Sequence, residues 1–386
     1  MNETNQNMRR QGQYRWIDGI ELLRAVAVIL VVISHGIFLT KAWNNDISDF
    51  ILQCFEAFMK PGWWGVRIFF AISGYLIASQ SIKVITQGRP IYARNFAMRR
   101  WIRTVPTYWI FLISITAFEG TNIISRAFAE NALFTQTAYG NPSIIPVAWS
   151  LVIEEWSYAI VSLYLMLTTL FTGSKSHRKG ALIVASLCIA LLAIATLARY
   201  NACLSSDVSW ETLKKNPILQ IDALSMGMLT ACIQVLFPKT SQQVFQSKGR
   251  HLVMIAIIGM NLTGYWINKF IINADVTSTQ NWLLLGTIIY PISSILSATL
   301  MIGCFDFKAN KLHLITRRSI HILATTSYST YLIHLYVLSA ILGFPLIKDS
   351  WAAFWAYLSL SLIAGITAFL ITERPFLSIR KRLRTG

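Results

Sequence analysis

Charge is scarce in this sequence. Asp, Glu, Lys and Arg make up 13% of its 386 residues, where a soluble globular protein carries about 25%. Acidic residues are the scarcer kind, 17 against 34 Lys and Arg, for a net charge of +17. The five cysteines, Cys54, Cys188, Cys203, Cys232 and Cys304, lie far apart, with no metal-ligand spacing, so no metal is expected. Most read as small apolar fillers. Cys54 and Cys203 fall on the same outer side, which leaves a disulfide between them open. No period of about 20–50 residues recurs, which excludes a solenoid. The two halves share no matching Gly- or Pro-broken segments, which weakens an inverted-repeat transporter. No small-residue cleavage site follows the first apolar run, so it reads as a retained helix.

Apolar surface is what the chain has in abundance. Hydrophobic residues make up 54% and the mean hydropathy is +0.51. Runs of about 20 apolar residues define membrane-crossing helices. The expected fold class is all-α: a polytopic integral-membrane helical bundle of about ten transmembrane helices, both termini cytoplasmic. The spans fall near 20–40, 61–80, 105–118, 147–171, 181–198, 217–237, 251–270, 282–303, 319–343 and 351–372. One membrane-embedded domain, 18–376, is flanked by a cytoplasmic tail, 1–17, and a basic tail, 377–386. On this segmentation 24 of the 34 Lys and Arg residues face the cytoplasm and eight face outward, while Arg24 and Arg67 lie within spans. That bias is the positive-inside pattern, so the basic charge sets orientation and implies no nucleic acid.

Five stretches carry polar groups at membrane depth. In "IELLRAVAVILVVISHGIFL", Arg24 and His35 share one helix stripe: eleven residues at 100° make three turns plus about 20°, roughly 16 Å along the axis. Singly, Arg24 could snorkel to head groups and His35 could bond a neighbouring helix. Sharing a stripe, they require protein or a wet cavity on that side. "GWWGVRIFFAISGYLIASQS" places Ser73 and Gly74 in mid-helix, where small residues permit close packing, and Arg67 near the outer end. "NFAMRRWIRTVPTYW" sets Arg99, Arg100 and Arg103 at the inner surface, as lipid-phosphate anchors or as a grip on a nucleotide-like donor. "VAWSLVIEEWSYAI" holds Glu154 and Glu155, at least one of which must face a polar interior. "TTSYSTYLIHLYVL" spaces Tyr328, Tyr331 and His334 three residues apart, a stripe that serves packing or chemistry.

In this order the motifs resemble those of the acyltransferase 3 family, over Gly19 to about Phe376. Its members are multi-span enzymes that O-acylate carbohydrates on the far side of the membrane. The chain departs from them at Arg67, where many members carry an acidic or small residue, and it stops at Gly386 without the esterase-like domain some members append. The resemblance implies an acyl-CoA donor, acetyl-CoA first, with no permanently bound cofactor. It also implies a lipid-linked or surface glycan as acceptor, contact with membrane lipids, and a bacterial inner-membrane location. O-antigen, another surface polysaccharide, a periplasmic glucan and a peptidoglycan or antibiotic sugar all stay open as acceptors.

Arg24, Arg100 and Arg103 would then hold the CoA phosphates, and the depth of His35 would match an extended pantetheine arm. His35 would act as base and Glu154 would orient it, supported by Ser73, Glu155, Tyr328 and His334. An acylated imidazole is the other route. A transporter or flippase for a lipid-linked sugar or small metabolite is the rival reading, and it predicts no thiol release from CoA.

Overall fold

The computed structural model describes residues 3–37, 39, 62–120, 122–137, 143–171, 176–205, 208–267, 279–343 and 350–382, with side chains from Asp18 to Ile379. Cys54, Lys41, Lys60, Lys175, Lys269, Lys348 and Arg384 lie outside the described residues. The described residues are helical with no strand. The long helices are α1 (Glu3–Gly36), α2 (Trp63–Gln87) and α3 (Pro90–Phe118), followed after a short α4 (Arg126–Ala132) by α5 (Trp149–Phe171) and α6 (His177–Cys203). A six-residue α7 (Trp210–Lys215) leads to α8 (Pro217–Leu236) and α9 (Pro238–Ile267). Then come α10 (Thr279–Leu284), a π turn (Leu285–Ile289) and α11 (Tyr290–Gly303). The chain closes with α12 (Leu314–Leu342), α13 (Trp351–Ala368), a second π turn (Phe369–Glu373) and α14 (Arg374–Arg382).

Among the described residues, seven segments are long and apolar enough to cross a membrane: Asp18–Gly36, Trp63–Gln87, Pro146–Phe171, His177–Cys203, Pro217–Leu236, Thr279–Gly303 and Trp351–Ile379. The protein is a multi-pass helical membrane protein. The other three expected spans fall on α3, α9 and α12, helices of 29, 30 and 29 residues. At 1.5 Å per residue each reaches roughly 44 Å, but each starts with polar and basic residues that dilute its apolar run. α3 is far longer than 105–118, because Pro90 starts it at a position where no N–H is needed. Only Gly88 and Arg89 separate it from α2, so Arg94, Arg99, Arg100 and Arg103 ride on a helix, not a loop.

α2 is the axis of the bundle, packed against α1, α3, α5, α6, α8 and α11. Its contact with α8 is backbone to backbone. A Cβ on Gly74 would sit 1.9 Å from the Leu224 carbonyl oxygen, and one on Gly227 would sit 2.0 Å from that of Ala71. Here the packing reading of Gly74 is the right one. Exposed Leu163, Met166, Leu170, Ile189, Ile194 and Leu197 line the outside of α5 and α6, as a lipid-facing surface requires.

Ten spans and seven place the connections differently. Topology-reporter fusions after Gly173 and after Gly386 are expected to read inside, and one after Thr121 outside. Outside readings at Gly173 and Gly386 would remove α3, α9 and α12 from the membrane-crossing set.

Candidate active site

Five helices wall one cleft of about 720 Å³, counting the part open to solvent. α1 supplies Arg24, α2 Ser73, α3 Arg100 and Arg103, α5 Glu154 and Tyr158, and α12 Ser327, Tyr328 and Tyr331. Six of the expected site residues thus meet although 304 positions separate Arg24 from Tyr328. Arg24 donates from Nη2 to Ser327 Oγ at 3.0 Å. It also lies within electrostatic reach of Arg103, Glu373 and Glu154. Arg100 is 8% exposed, with its guanidinium 4.9 Å from the centre of the Tyr158 ring. Its Nε and Nη2 are buried without a hydrogen-bond acceptor among the described residues. An anchor in lipid head groups would be wet, so the anchor reading does not fit Arg100.

The two adjacent carboxylates part company. Glu154 lines the cleft, accepting from Ser73 Oγ at 2.7 Å and Tyr158 OH at 3.1 Å. Glu155 turns to α3 and accepts from Thr104 Oγ1 at 2.7 Å. Tyr328 caps the same spot, donating to the Thr104 carbonyl at 2.9 Å. Ser73 therefore has a polar task one residue from the glycine that packs.

His35 and His334 form a pair beside the cleft rather than in its lining. Their rings stand 5.0 Å apart, with His334 Nε2 3.4 Å from His35 Nδ1. His334 Nδ1 lies 2.8 Å from the Tyr331 carbonyl, and His35 Nδ1 lies 2.9 Å from that of Val31. A carbonyl only accepts, so Nδ1 carries the hydrogen in both neutral rings. His334 Nε2 is then an acceptor facing His35, and His35 Nε2 keeps a free lone pair. The expectation that Glu154 orients His35 is corrected: its oxygens are held by Ser73 and Tyr158, and a backbone carbonyl with a second histidine does the orienting. Tyr331 joins the two parts, lining the cleft with its ring 5.8 Å from that of His334.

The model of the family described as "Acyltransferase domain", acyltransferase 3, matches residues 17–373. The chain belongs to this family. It is 25% identical over 398 residues to a Bacillus subtilis (strain 168) protein named "Putative peptidoglycan O-acetyltransferase YrhL", covering 96% of this chain and 55% of that protein. It is 27% identical over 179 residues to "Peptidoglycan O-acetyltransferase OatA" of Listeria monocytogenes, covering 41% of this chain and 26% of that one. The chain thus spans little more than half the length of the relatives it matches end to end. No solved structure matches it significantly.

In this family member, Arg67 serves the frame rather than the cleft. It is 1% exposed and lies 3.2 Å from Asp222 Oδ2, an oxygen that Arg199 approaches to 3.2 Å from the other side. Arg67 also donates to Gln220 Oε1 at 2.7 Å, the Tyr290 carbonyl at 2.9 Å and Ser294 Oγ at 2.6 Å. Arg199, one residue beyond the expected span 181–198 and so counted among the eight outward-facing basic residues, is inside α6 and fully buried. Cys203 is buried too, with its Sγ donating to the Trp282 carbonyl at 3.0 Å.

One residue of the cleft region escaped sequence reasoning. Glu373 sits buried in the second π turn, accepting from Ser329 Oγ at 2.9 Å, within electrostatic reach of Arg103 and Arg24. The signal was "ITERP", an acid at the end of an apolar run. A π turn is often found where function needs it.

Breaking a buried ion pair from one side leaves an uncompensated charge, at about 3–5 kcal/mol. Asp222→Asn strands two guanidiniums and is expected to lower the thermal midpoint of detergent-purified protein by several degrees or abolish its yield. A melt superimposable on wild type would show that Asp222 is not the counter-ion the frame needs.

Proposed function

We propose that the chain is a membrane O-acyltransferase of the bacterial cytoplasmic membrane, moving an acyl group, acetyl first, from cytoplasmic acyl-CoA to a carbohydrate hydroxyl outside. The observation that carries the reading is the cluster of Arg24, Arg100 and Arg103 on one cleft wall, where the buried Arg100 leaves Nε and Nη2 without acceptors among the described residues. Donors left dry and unpaired cost free energy until an anion or carbonyl fills them. With Arg24 and Arg103 on the same wall, that ligand is multiply anionic, as the phosphates of CoA are. The names of the relatives favour a peptidoglycan glycan as acceptor.

Chemistry follows from the histidine pair. The hydroxyl oxygen of the acceptor attacks the thioester carbonyl carbon, and the carbon–sulfur bond breaks to release CoA thiolate. His35 Nε2 takes the hydroxyl proton and returns it to the thiolate. The Val31 carbonyl and His334 hold the Nδ1–H of His35, fixing the tautomer that leaves Nε2 basic. Glu154 acts from the cleft wall, where its charge faces Arg24.

Arg24 and His35 are expected to fail differently. His35→Ala should bind CoA normally and lose transfer by ~10²–10⁴-fold or more. Arg24→Ala should weaken CoA binding itself, and Arg24→Lys should restore it only in part, since a point charge cannot replace a fork. Calorimetric CoA titration of purified variants beside a transfer assay separates them. Equal CoA affinity in wild type and Arg24→Ala would refute the phosphate role, and substantial transfer by His35→Ala would remove the base.

Glu154→Gln keeps size and loses charge, and is expected to abolish most transfer while leaving membrane insertion intact. Glu155→Gln, off the cleft, should be milder. The reverse order in a glycan acetylation assay would mean that the working carboxylate is the one against Thr104.

A further inference from the structure

Beside the histidine pair stands a cation that this mechanism does not use. Lys214 lies on α7 with Nζ 5.3 Å from the centre of the Trp149 ring. The residue after Trp149 is Ser150, whose Oγ is 2.7 Å from Tyr331 OH, and Tyr331 packs beside His334. The charge of Lys214 is felt at His35. α7 joins α6 to α8 and packs against α5, whose first residue is Trp149; on the ten-span topology expected from the sequence, this end of the bundle faces outward.

Lys214 has no carboxylate to itself. Glu211, the one acid on α7, is ion-paired with Lys215. Among the described residues no hydrogen bond or ion pair engages Lys214. The Trp149 face steadies the ammonium without using its three N–H donors. Lys214 is half-buried, and burial holds its ammonium below the ordinary lysine value, with Lys215 adding to the effect against the pull of Glu211.

α7 itself is held with care. Trp210 packs on the Trp63 ring at 6.0 Å and on Tyr290 at 6.1 Å. Leu213 is fully buried, and its carbonyl accepts from Gln220 Nε2 at 2.6 Å. The other end of that amide accepts from Arg67. The Arg67–Asp222–Arg199 network therefore reaches α7 through one side chain, which accounts for a buried cost that the cleft does not need.

We infer that Lys214, steadied over Trp149, is the subsite for an anionic group, carboxylate or phosphate, carried by the carbohydrate acceptor near the hydroxyl to be acylated. This rests on the acyltransferase reading and names the chemistry of its second substrate. A neutral sugar would leave the lysine donors to water. An anionic one would meet them where the local dielectric is low, and its charge would set which hydroxyl faces His35.

The test is binding, which needs no acyl donor. The 386-residue chain in neutral detergent is titrated calorimetrically with an N-acetylmuramic-acid disaccharide and with its carboxyl amide, near-isosteres of which only the first is charged. Wild type should bind the acid at least about tenfold more tightly, the order expected for one charge-assisted hydrogen bond. Lys214→Gln should erase that preference and Lys214→Arg should keep most of it. Equal affinity of wild type and Lys214→Gln for the acid, or the same loss for both ligands, overturns the inference. So does a preference that disappears when phosphatidylglycerol is added, which would give the cation to lipid. Failure of wild type to acetylate either disaccharide, with the acid preference intact, would sink the acyltransferase reading and leave the anion subsite standing.

Discussion

Asp222 stands between two guanidiniums where none of the three groups reaches water, and four helices of the bundle meet around it. Arg67 comes from α2, Arg199 from α6 and Asp222 from α8, while α11 adds the Tyr290 carbonyl and the Ser294 hydroxyl. Two positive charges against one negative leave the cluster cationic. In hydrocarbon such a cluster survives only when most of its N–H groups find oxygens, and here half of those oxygens are backbone carbonyls, of Tyr290, Gly286 and Leu219. Packing by apolar side chains gives little preference between helices in lipid, so the triad supplies the specificity that fixes α2, α6, α8 and α11 in register.

With that frame fixed, the cleft can be open and charged. Its arginines come from α1 and α3, neither of which contributes a residue to the triad. Each frame guanidinium meets Asp222 and keeps one buried nitrogen unpaired among the described residues, Arg67 Nε and Arg199 Nη2, whereas Arg100 has neither a carboxylate nor a hydrogen-bond acceptor there for Nε and Nη2. Arg67 has four acceptors and Arg100, on the cleft wall, has none, although both are nearly inaccessible.

Arg24, His35, Ser73 and Glu154 were legible in the sequence because each breaks an apolar run, and Arg100 and Arg103 because they form a basic cluster at the edge of one. A polar residue at membrane depth has to be explained, whatever the fold. Arg67 broke a run as well, yet its role was hidden, since its partner lies 155 positions away and Asp222 sits at the start of an unremarkable apolar helix. Arg199 was misplaced by one residue at a span boundary, enough to turn a buried ligand of Asp222 into a loop charge. The orientation of His35 depends on a carbonyl four residues back and a histidine 299 positions on, neither of which spacing reveals. All-α architecture followed directly from composition; which helices touch did not.

The glycine contact between α2 and α8 has a mechanical meaning. Where two backbones meet carbonyl against Cα, with no side chain between them, the helices cannot slide by a turn or hinge apart without losing contact along the whole line. The pair behaves as one rigid body, so any movement within the bundle has to be taken up at contacts made through side chains, where rotamers can change without parting two backbones.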